Sequence, residues 1–186
     1  MVTALEFTLG TNYEIYKPIP MNEIQLYPCS VEETLAFANI EHSNPFQCTI
    51  AVNERDTSNE VNHINNIQYI KWIDRGAELH CDAMGWTRER LLQGGMMWFV
   101  ARHEIDYLAE ATASDQLRLT TWVEDVRRVK SWRTTVIHAL RDQYTEVCRC
   151  RTLWVLVNLE TRRSMSVPSE MVDAIDPLHK PRVTKT

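Results

Sequence analysis

No stretch of this 186-residue chain is long and apolar enough to span a bilayer, which takes roughly 20 consecutive apolar residues. The segment Met1-Val2-Thr3-Ala4-Leu5-Glu6 lacks a basic start followed by an apolar core, so no secretory leader is expected and the cytoplasm is the default compartment. An excess of positive charge is missing as well. With 20 Lys and Arg against 25 Asp and Glu the net charge is -5, which argues against general nucleic-acid binding and leaves an anionic ligand only a local basic patch. Cysteines number five, an odd count for a disulfide framework, at spacings that fit no zinc site. Cys148 and Cys150 stand two apart on an expected strand and so share a face. All five are read as reduced, structural thiols, and no metal is expected.

What is present is an ordinary globular composition, 44% hydrophobic and 24% charged. The length suits one domain that buries on the order of 70% of its unfolded surface. Three regions are expected. Residues 1–45 form an N-terminal extension containing Pro18, Pro20, Pro28 and Pro45; residues 46–176 form the main domain; residues 177–186 form a loose basic tail. Within the extension, Ser30-Val31-Glu32-Glu33 has the form of a capping box and predicts a short helix from Val31 to about Ile40.

From Phe46 the pattern sharpens. Gln47–Asn53 predicts a strand, and a polar, amide-rich turn then runs into a helix expected from Asn66 to Ala83. Ile67, Ile70, Ile73, Ala77, Cys81 and Met84 recur at steps of three and four, which predicts one buried stripe. Gly76, inside that helix, costs roughly 1 kcal/mol against Ala and suggests close approach to a sheet. Thr87–Gly95 predicts a short turn or helix. Strands follow over Met97–Leu108, read as alternating through Trp98, Val100, Ile105 and Tyr107, and over Leu117–Val126, Lys130–Leu140 and Glu146–Val157. One helix followed by a run of antiparallel strands makes an α+β domain, with a sheet able to curl around the helix.

The turn Asp56-Thr57-Ser58-Asn59-Glu60-Val61-Asn62-His63-Ile64-Asn65-Asn66-Ile67-Gln68-Tyr69 sets a carboxylate, an imidazole and several amides beside a helix N-terminus. Unpaired backbone N–H groups there can polarise a carbonyl. The stretch resembles the "DTDxxGHVNNxxY" turn of the hotdog-fold acyl thioesterases of the 4-hydroxybenzoyl-CoA thioesterase type, with His63, Asn65, Asn66 and Tyr69 at matching positions. Trp72-Ile73-Asp74 is similar to the family's aromatic-hydrophobic-acidic step on the central helix. Met97 to Leu108 resembles its "VxRxxIDY" strand, Ala111 to Val123, with Asp115-Gln116-Leu117, its "AxxxDxL" turn and the strand after it, and Glu124 to Ser131 the basic turn placed near coenzyme A phosphates. The resemblance covers about Phe46 to Ile175. It implies a hotdog fold, an antiparallel sheet curled around one long helix, and thioester hydrolysis on acyl-CoA. It also implies a homodimer or dimer of dimers with the site between subunits, and no cofactor beyond the coenzyme A of the substrate.

The chain departs from the pattern where the key carboxylate usually stands, four residues before the His. Asn59 occupies that position, and Asn62 replaces the Gly before the His. Asp56 is therefore a candidate base or nucleophile, or a residue that caps its own turn. Asn59 could position water, or hold a turn at positive φ. His63 orients the carboxylate or shares its proton, or is a hydrogen-bonded structural His. Asn65 is a site candidate, and Asn66 an expected N-cap. Asp74, two turns into the helix, either anchors a neighbouring site residue or is a catalytic carboxylate. Arg127, Arg128, Lys130 and Ser131 are expected to grip substrate phosphates, or to form a solvated turn. Trp98, Trp122, Trp132 and Trp154 are read as core or interface, one of them lining an acyl pocket. Two rival readings stand beside the acyl-CoA hydrolase: an acyl carrier protein thioesterase, and a catalytically silent hotdog that binds acyl groups or acts as a scaffold.

Overall fold

The computed structural model describes residues 24–58 and 61–179. Six antiparallel strands form one sheet in the order β1-β2-β4-β5-β6-β3. They are β1 (Leu26–Pro28), β2 (Phe46–Ile50), β3 (Met96–Tyr107), β4 (Leu117–Arg127), β5 (Lys130–Ala139) and β6 (Thr145–Asn158). A long helix, α1 (Asn66–Ala83), lies in the curl of this sheet, and two short helices, α2 (Arg88–Gln93) and α3 (Ser169–Ile175), close its far end. This is the hotdog arrangement that the resemblance implied. α3 is not among the elements expected from the sequence; Met171 and Ile175 bury it against Trp86, Leu91, Val123 and Val126.

Helix α1 covers the expected residues because both ends are specified locally. Asn65 is the N-cap, its side-chain oxygen accepting the Ile67 N–H at 2.9 Å, so the cap falls one residue before the expected Asn66. At the other end Gly85 takes φ +76°, and the Trp86 and Gly85 N–H groups donate to Cys81 and Asp82 carbonyls, a Schellman stop. The buried face differs from the expected stripe. Gln68, Tyr69, Trp72, Ile73, Gly76 and Ala77 face the sheet, whereas Ile67 and Ile70 are exposed on this chain. The aromatic pair Tyr69 and Trp72 outweighs the isoleucines, since each ring removes more apolar area from water than an aliphatic side chain. Gly76 meets the sheet as expected: a Cβ built on it would lie 2.8 Å from Leu119 Cδ2.

The outer face of the sheet is partly covered by residues 24–45. β1 pairs with β2, and the following chain lies across β4 and β5. Phe37 stacks on His138 at 4.1 Å, and Arg118 Nη1 donates to the Glu33 carbonyl at 2.7 Å. The capping box forms in part, with the Ser30 N–H donating to Glu33 Oε2 at 2.8 Å, but it closes only a turn at residues 31–33. The expected helix to Ile40 is absent for a physical reason. Gln47 takes both the N–H and the carbonyl of Leu35, and Arg118 takes the Glu33 carbonyl, groups that a helix would need for itself. Residues 1–23 and the tail from Lys180 lie outside the described residues.

Candidate active site

The turn before α1 is held by its own polar groups. Asp56 is buried in a 3-10 turn (Glu54–Asp56), where its Oδ2 accepts the Asn53 N–H at 2.8 Å. Its backbone carbonyl accepts the Asn65 N–H at 2.8 Å, which ties the turn to the helix start. Burial pushes the Asp56 carboxyl above the usual carboxylate range, against the opposing pull of that hydrogen bond and of Lys71. Asn59 lies outside the described residues. His63, Asn66, Tyr69, Tyr107 and Glu110 line a shallow depression of about 340 Å³ at the helix N-terminus, and the Tyr107 hydroxyl donates to the Asn66 carbonyl at 3.2 Å. Among the described residues the Asn66 backbone N–H takes no hydrogen-bond acceptor, so this donor remains available at the positive end of the helix.

A more enclosed cavity of about 290 Å³ lies along the later turns of α1. Its walls are largely aromatic and apolar, with Trp86, Met97, Trp98, Phe99 and Trp154 among them. Two of the tryptophans considered as pocket residues, Trp98 and Trp154, stand here; Trp122 is buried elsewhere and Trp132 lies beneath Arg151. Asp74, Glu78 and Asp82 enter the cavity from α1, one turn apart. Asp74 reaches solvent at the cavity mouth, yet protein surrounds it closely enough that burial, reinforced by Glu78, raises its pKa; His103 and Arg88 pull the other way. Its carboxylate makes no hydrogen bond or ion pair among the described residues, and that sets it apart from Asp56.

Ser131 and Arg133 of β5 complete the wall. Ser131 donates its hydroxyl to the Asp125 carbonyl at 3.0 Å, so it belongs to the cavity and not to the exposed turn. Arg133 is not among the residues expected at the site, because an Arg on a strand usually faces solvent. It is buried, and its Nη1 donates to His80 Nδ1 at 2.8 Å and to Thr121 Oγ1 at 3.2 Å. Burial, with the Arg133 charge beside it, drives the His80 pKa down to about 2, so the imidazole stays neutral and accepts.

The basic turn between β4 and β5 is exposed. Arg127 is paired to Asp125 through a 2.8 Å bond, whereas Arg128 and Lys130 make no ion pair among the described residues. Arg128 adopts φ +31° at the turn. The structure groups the expected site residues into two sets. Asp56, His63 and Asn65 stand at the N-terminal end of α1; Asp74, Ser131, Arg127, Arg128 and Lys130 stand toward the cavity end. β3, which runs between those ends, has 12 residues and so a length of about 40 Å.

The sequence profile of the thioesterase-like superfamily matches residues 52–175, two thirds of the chain, and the chain belongs to that superfamily. No curated protein matches the sequence. Solved structures match in fold at low identity. A putative oleoyl thioesterase from Lactobacillus plantarum gives a TM-score of 0.69 at 16% identity, covering 80% of this chain and 56% of its own, so this chain spans about half of that protein. A hypothetical protein from Staphylococcus aureus in complex with CoA gives 0.68 at 16% identity, covering 82% and 94%. A 1,4-dihydroxy-2-naphthoyl-CoA thioesterase from Synechocystis gives 0.65 at 16% identity, covering 71% and 96%. Among the described residues no helix is long and apolar enough to cross a membrane, and no cluster of His, Cys, Asp and Glu could hold a metal.

Proposed function

We propose that the chain is an acyl-CoA thioesterase acting as a homodimer joined along β3, with each site shared between two copies. The observation that carries this reading is the position of β3, a long strand at the free edge of the sheet that exposes Phe99, Val100 and Tyr107. Such an edge presents a row of unpaired backbone groups, and native proteins cover it. Pairing two copies of β3 antiparallel about a two-fold axis sets Met96–Val100 of one beside Tyr107 of the other. The helix N-terminus of one protomer then adjoins the cavity, the Asp74 carboxylate and the basic turn of its partner. Two half-sites separated within one chain become one site in the dimer.

In this reading the thioester carbonyl sits at the N-terminus of α1, where the Asn66 N–H polarises it, with His63 alongside. The acyl group enters the aromatic cavity. The Asp74 carboxylate takes a proton from water as the new C–O bond forms, and returns it to the coenzyme A thiolate as the C–S bond breaks. The products are the free acid and the thiol, with no further cofactor. Arg128 and Lys130 are free to contact the phosphates, with Arg127 behind them. Asp56 and Asn65 hold the turn and the cap. Superfamily membership supports thioester chemistry, and the CoA-bound Staphylococcus neighbour supports a coenzyme A ligand.

The test is thiol release from short, long and aromatic acyl-CoAs by wild type, Asp74→Asn and Asp56→Asn, with sedimentation to count subunits. Collapse in Asp74→Asn with activity kept in Asp56→Asn supports the scheme. Collapse confined to Asp56→Asn would return the chemistry to the turn. Activity only on carrier-linked acyl groups would make the chain an acyl carrier protein thioesterase, and inertness toward both would leave a silent acyl-binding hotdog.

A further inference from the structure

Strand β3 carries one residue more than its partner. Val100 pairs with Trp154 and Arg102 with Leu153, so Ala101 faces no residue of β6. In an unbroken strand, residues two apart share a face. Here the bulge resets the parity: Trp98 and Val100 face the cavity, and beyond Ala101 the odd-numbered residues turn inward. Residues paired across antiparallel strands share a face as well. Val100, Trp154 and Ser131 therefore form one row across the cavity wall. Arg133 stands two residues beyond Ser131 on β5, on that same face and one row further along, beside Val123 of β4. It borders the cavity yet is only 4% exposed.

A guanidinium keeps its charge inside a protein, and a buried charge calls for a counter-ion. The partners of Arg133 are all neutral. Its Nη1 donates to His80 Nδ1 at 2.8 Å and to Thr121 Oγ1 at 3.2 Å. The third partner is the Cys81 thiol, which also borders the cavity and whose pKa burial raises, so it keeps its proton. Of the carboxylates that α1 sends to the cavity, Glu78 is paired to Arg75. None of them forms an ion pair with Arg133 among the described residues.

We propose that the substrate brings the missing charge: Arg133 is the specificity-determining residue of the cavity, and the acyl group it selects ends in a second carboxylate. The inference rests on the reading of this cavity as the acyl pocket of a thioesterase. Asp74 and Cys81 are seven residues apart and so share a face of α1, separated by roughly 10 Å of helix. Arg133, bonded to Cys81, therefore lies about that far from the end where Asp74 handles the proton. An extended chain advances about 1.2 Å per bond. With one hydrogen bond at the far end, acyl groups of about six to eight carbons span the distance. The substrates are thus monothioesters of medium-length dicarboxylic acids, with the free carboxylate against the β5 wall and away from the α1 carboxylates.

Two measurements on the full chain test this. The first compares octanoyl-CoA with suberoyl-CoA, the same eight-carbon acyl group ending in a carboxylate, and reads the ratio of their kcat/KM values. Wild type is expected to favour the suberoyl thioester by about 10-fold or more, the scale of one hydrogen bond between charged groups. Arg133→Met removes the cation, and Cys81→Asp gives it a carboxylate of its own without emptying the core. Each is expected to lower the ratio by about 10-fold or more, whatever the absolute rates. A purely structural Arg133, tying α1 to β5, would lower both rates together and leave the ratio in place. The second measurement is thermal unfolding with free suberate or octanoate, which reads binding without turnover. Suberate should raise the Tm of wild type more than octanoate does, and this difference should vanish in Cys81→Asp. Hydrolysis with no preference for the suberoyl group, or a ratio unmoved in Cys81→Asp, overturns the proposal and leaves the hydrolase standing. A protein inert toward both thioesters but stabilised by suberate would lose the hydrolase reading and keep the carboxylate site at Arg133. Inertness without stabilisation overturns both.

Discussion

Replacing Gly76 with Ala probes the close approach of α1 to the sheet at Leu119. In an exposed helix interior this change stabilises by about 1 kcal/mol, because Ala loses less backbone entropy. Here the new methyl would sit 2.8 Å from Leu119 Cδ2 and 3.0 Å from Cδ1. Carbon atoms prefer about 3.5–4.0 Å, so the pair must separate by roughly 0.7 Å or more. Leu119 is fully buried in the core, and overpacking of such a site costs about 1–3 kcal/mol. The steric cost exceeds the propensity gain, and Gly76→Ala is expected to destabilise by about 1 kcal/mol net, or about 2–4 °C in Tm for a chain of this size. Leu119→Ala alone should cost about 2–5 kcal/mol by opening a cavity. In the double variant the added methyl enters that space, so the combined loss should fall short of the sum by about 1 kcal/mol or more. Denaturant unfolding of the four proteins supplies the cycle. A Tm that rises in Gly76→Ala, together with additive losses, would refute the close-approach argument.

Asp74→Asn is expected to stabilise the protein near pH 7 while removing activity. A carboxyl whose pKa is raised by folding penalises the folded state when ionised, and the penalty disappears once pH falls below the unfolded value; the Tm gain should therefore vanish near pH 3. His80 works in the opposite sense. Its folded pKa of about 2 lies far below its unfolded value near 6.5, so the stability it contributes is complete above pH 6.5 and is lost as pH falls, by about 1.4 kcal/mol per unit. His80→Gln, which keeps an acceptor for Arg133, should flatten the dependence of stability on pH between 6.5 and 4, and an unchanged slope would contradict the neutral His80. Phe99→Lys replaces an exposed apolar ring of the proposed β3 seam with a charge that must be desolvated there; sedimentation should then show monomers, and a dimer that persists would move the interface elsewhere.

Much of the fold was legible because its signals are local. The ends of α1 matched expectation since a cap and a glycine stop mark them, and polar turns set off β2 to β6 along the chain, whereas β1 and the order of strands across the sheet carry no such local signal. The buried face of α1 was legible in part: Ile73 and Ala77 are buried as expected, but periodicity does not say how far the apolar face turns toward the sheet, and Tyr69 and Trp72 took the place expected for Ile67 and Ile70. The bulge did leave a trace. Trp98 and Val100 are even-numbered, Ile105 and Tyr107 odd-numbered, and that change of parity within one strand signals an extra residue between them. The cavity was harder to foresee. Arg133 and His80 lie 53 positions apart, and nothing in either neighbourhood announces that they meet.

The extra residue in β3 also bears on how the chain can change. Edge strands usually tolerate gain or loss of a residue, since slippage there disturbs only one ladder. Deleting Ala101 would instead reverse the facing of either Trp98 and Val100 or His103, Ile105 and Tyr107, emptying the cavity wall or turning core residues to solvent. Length at this point of the strand is therefore under tighter constraint than residue identity, and relatives of this chain that share its site should vary in side chain at position 101 more readily than in the presence of a residue there.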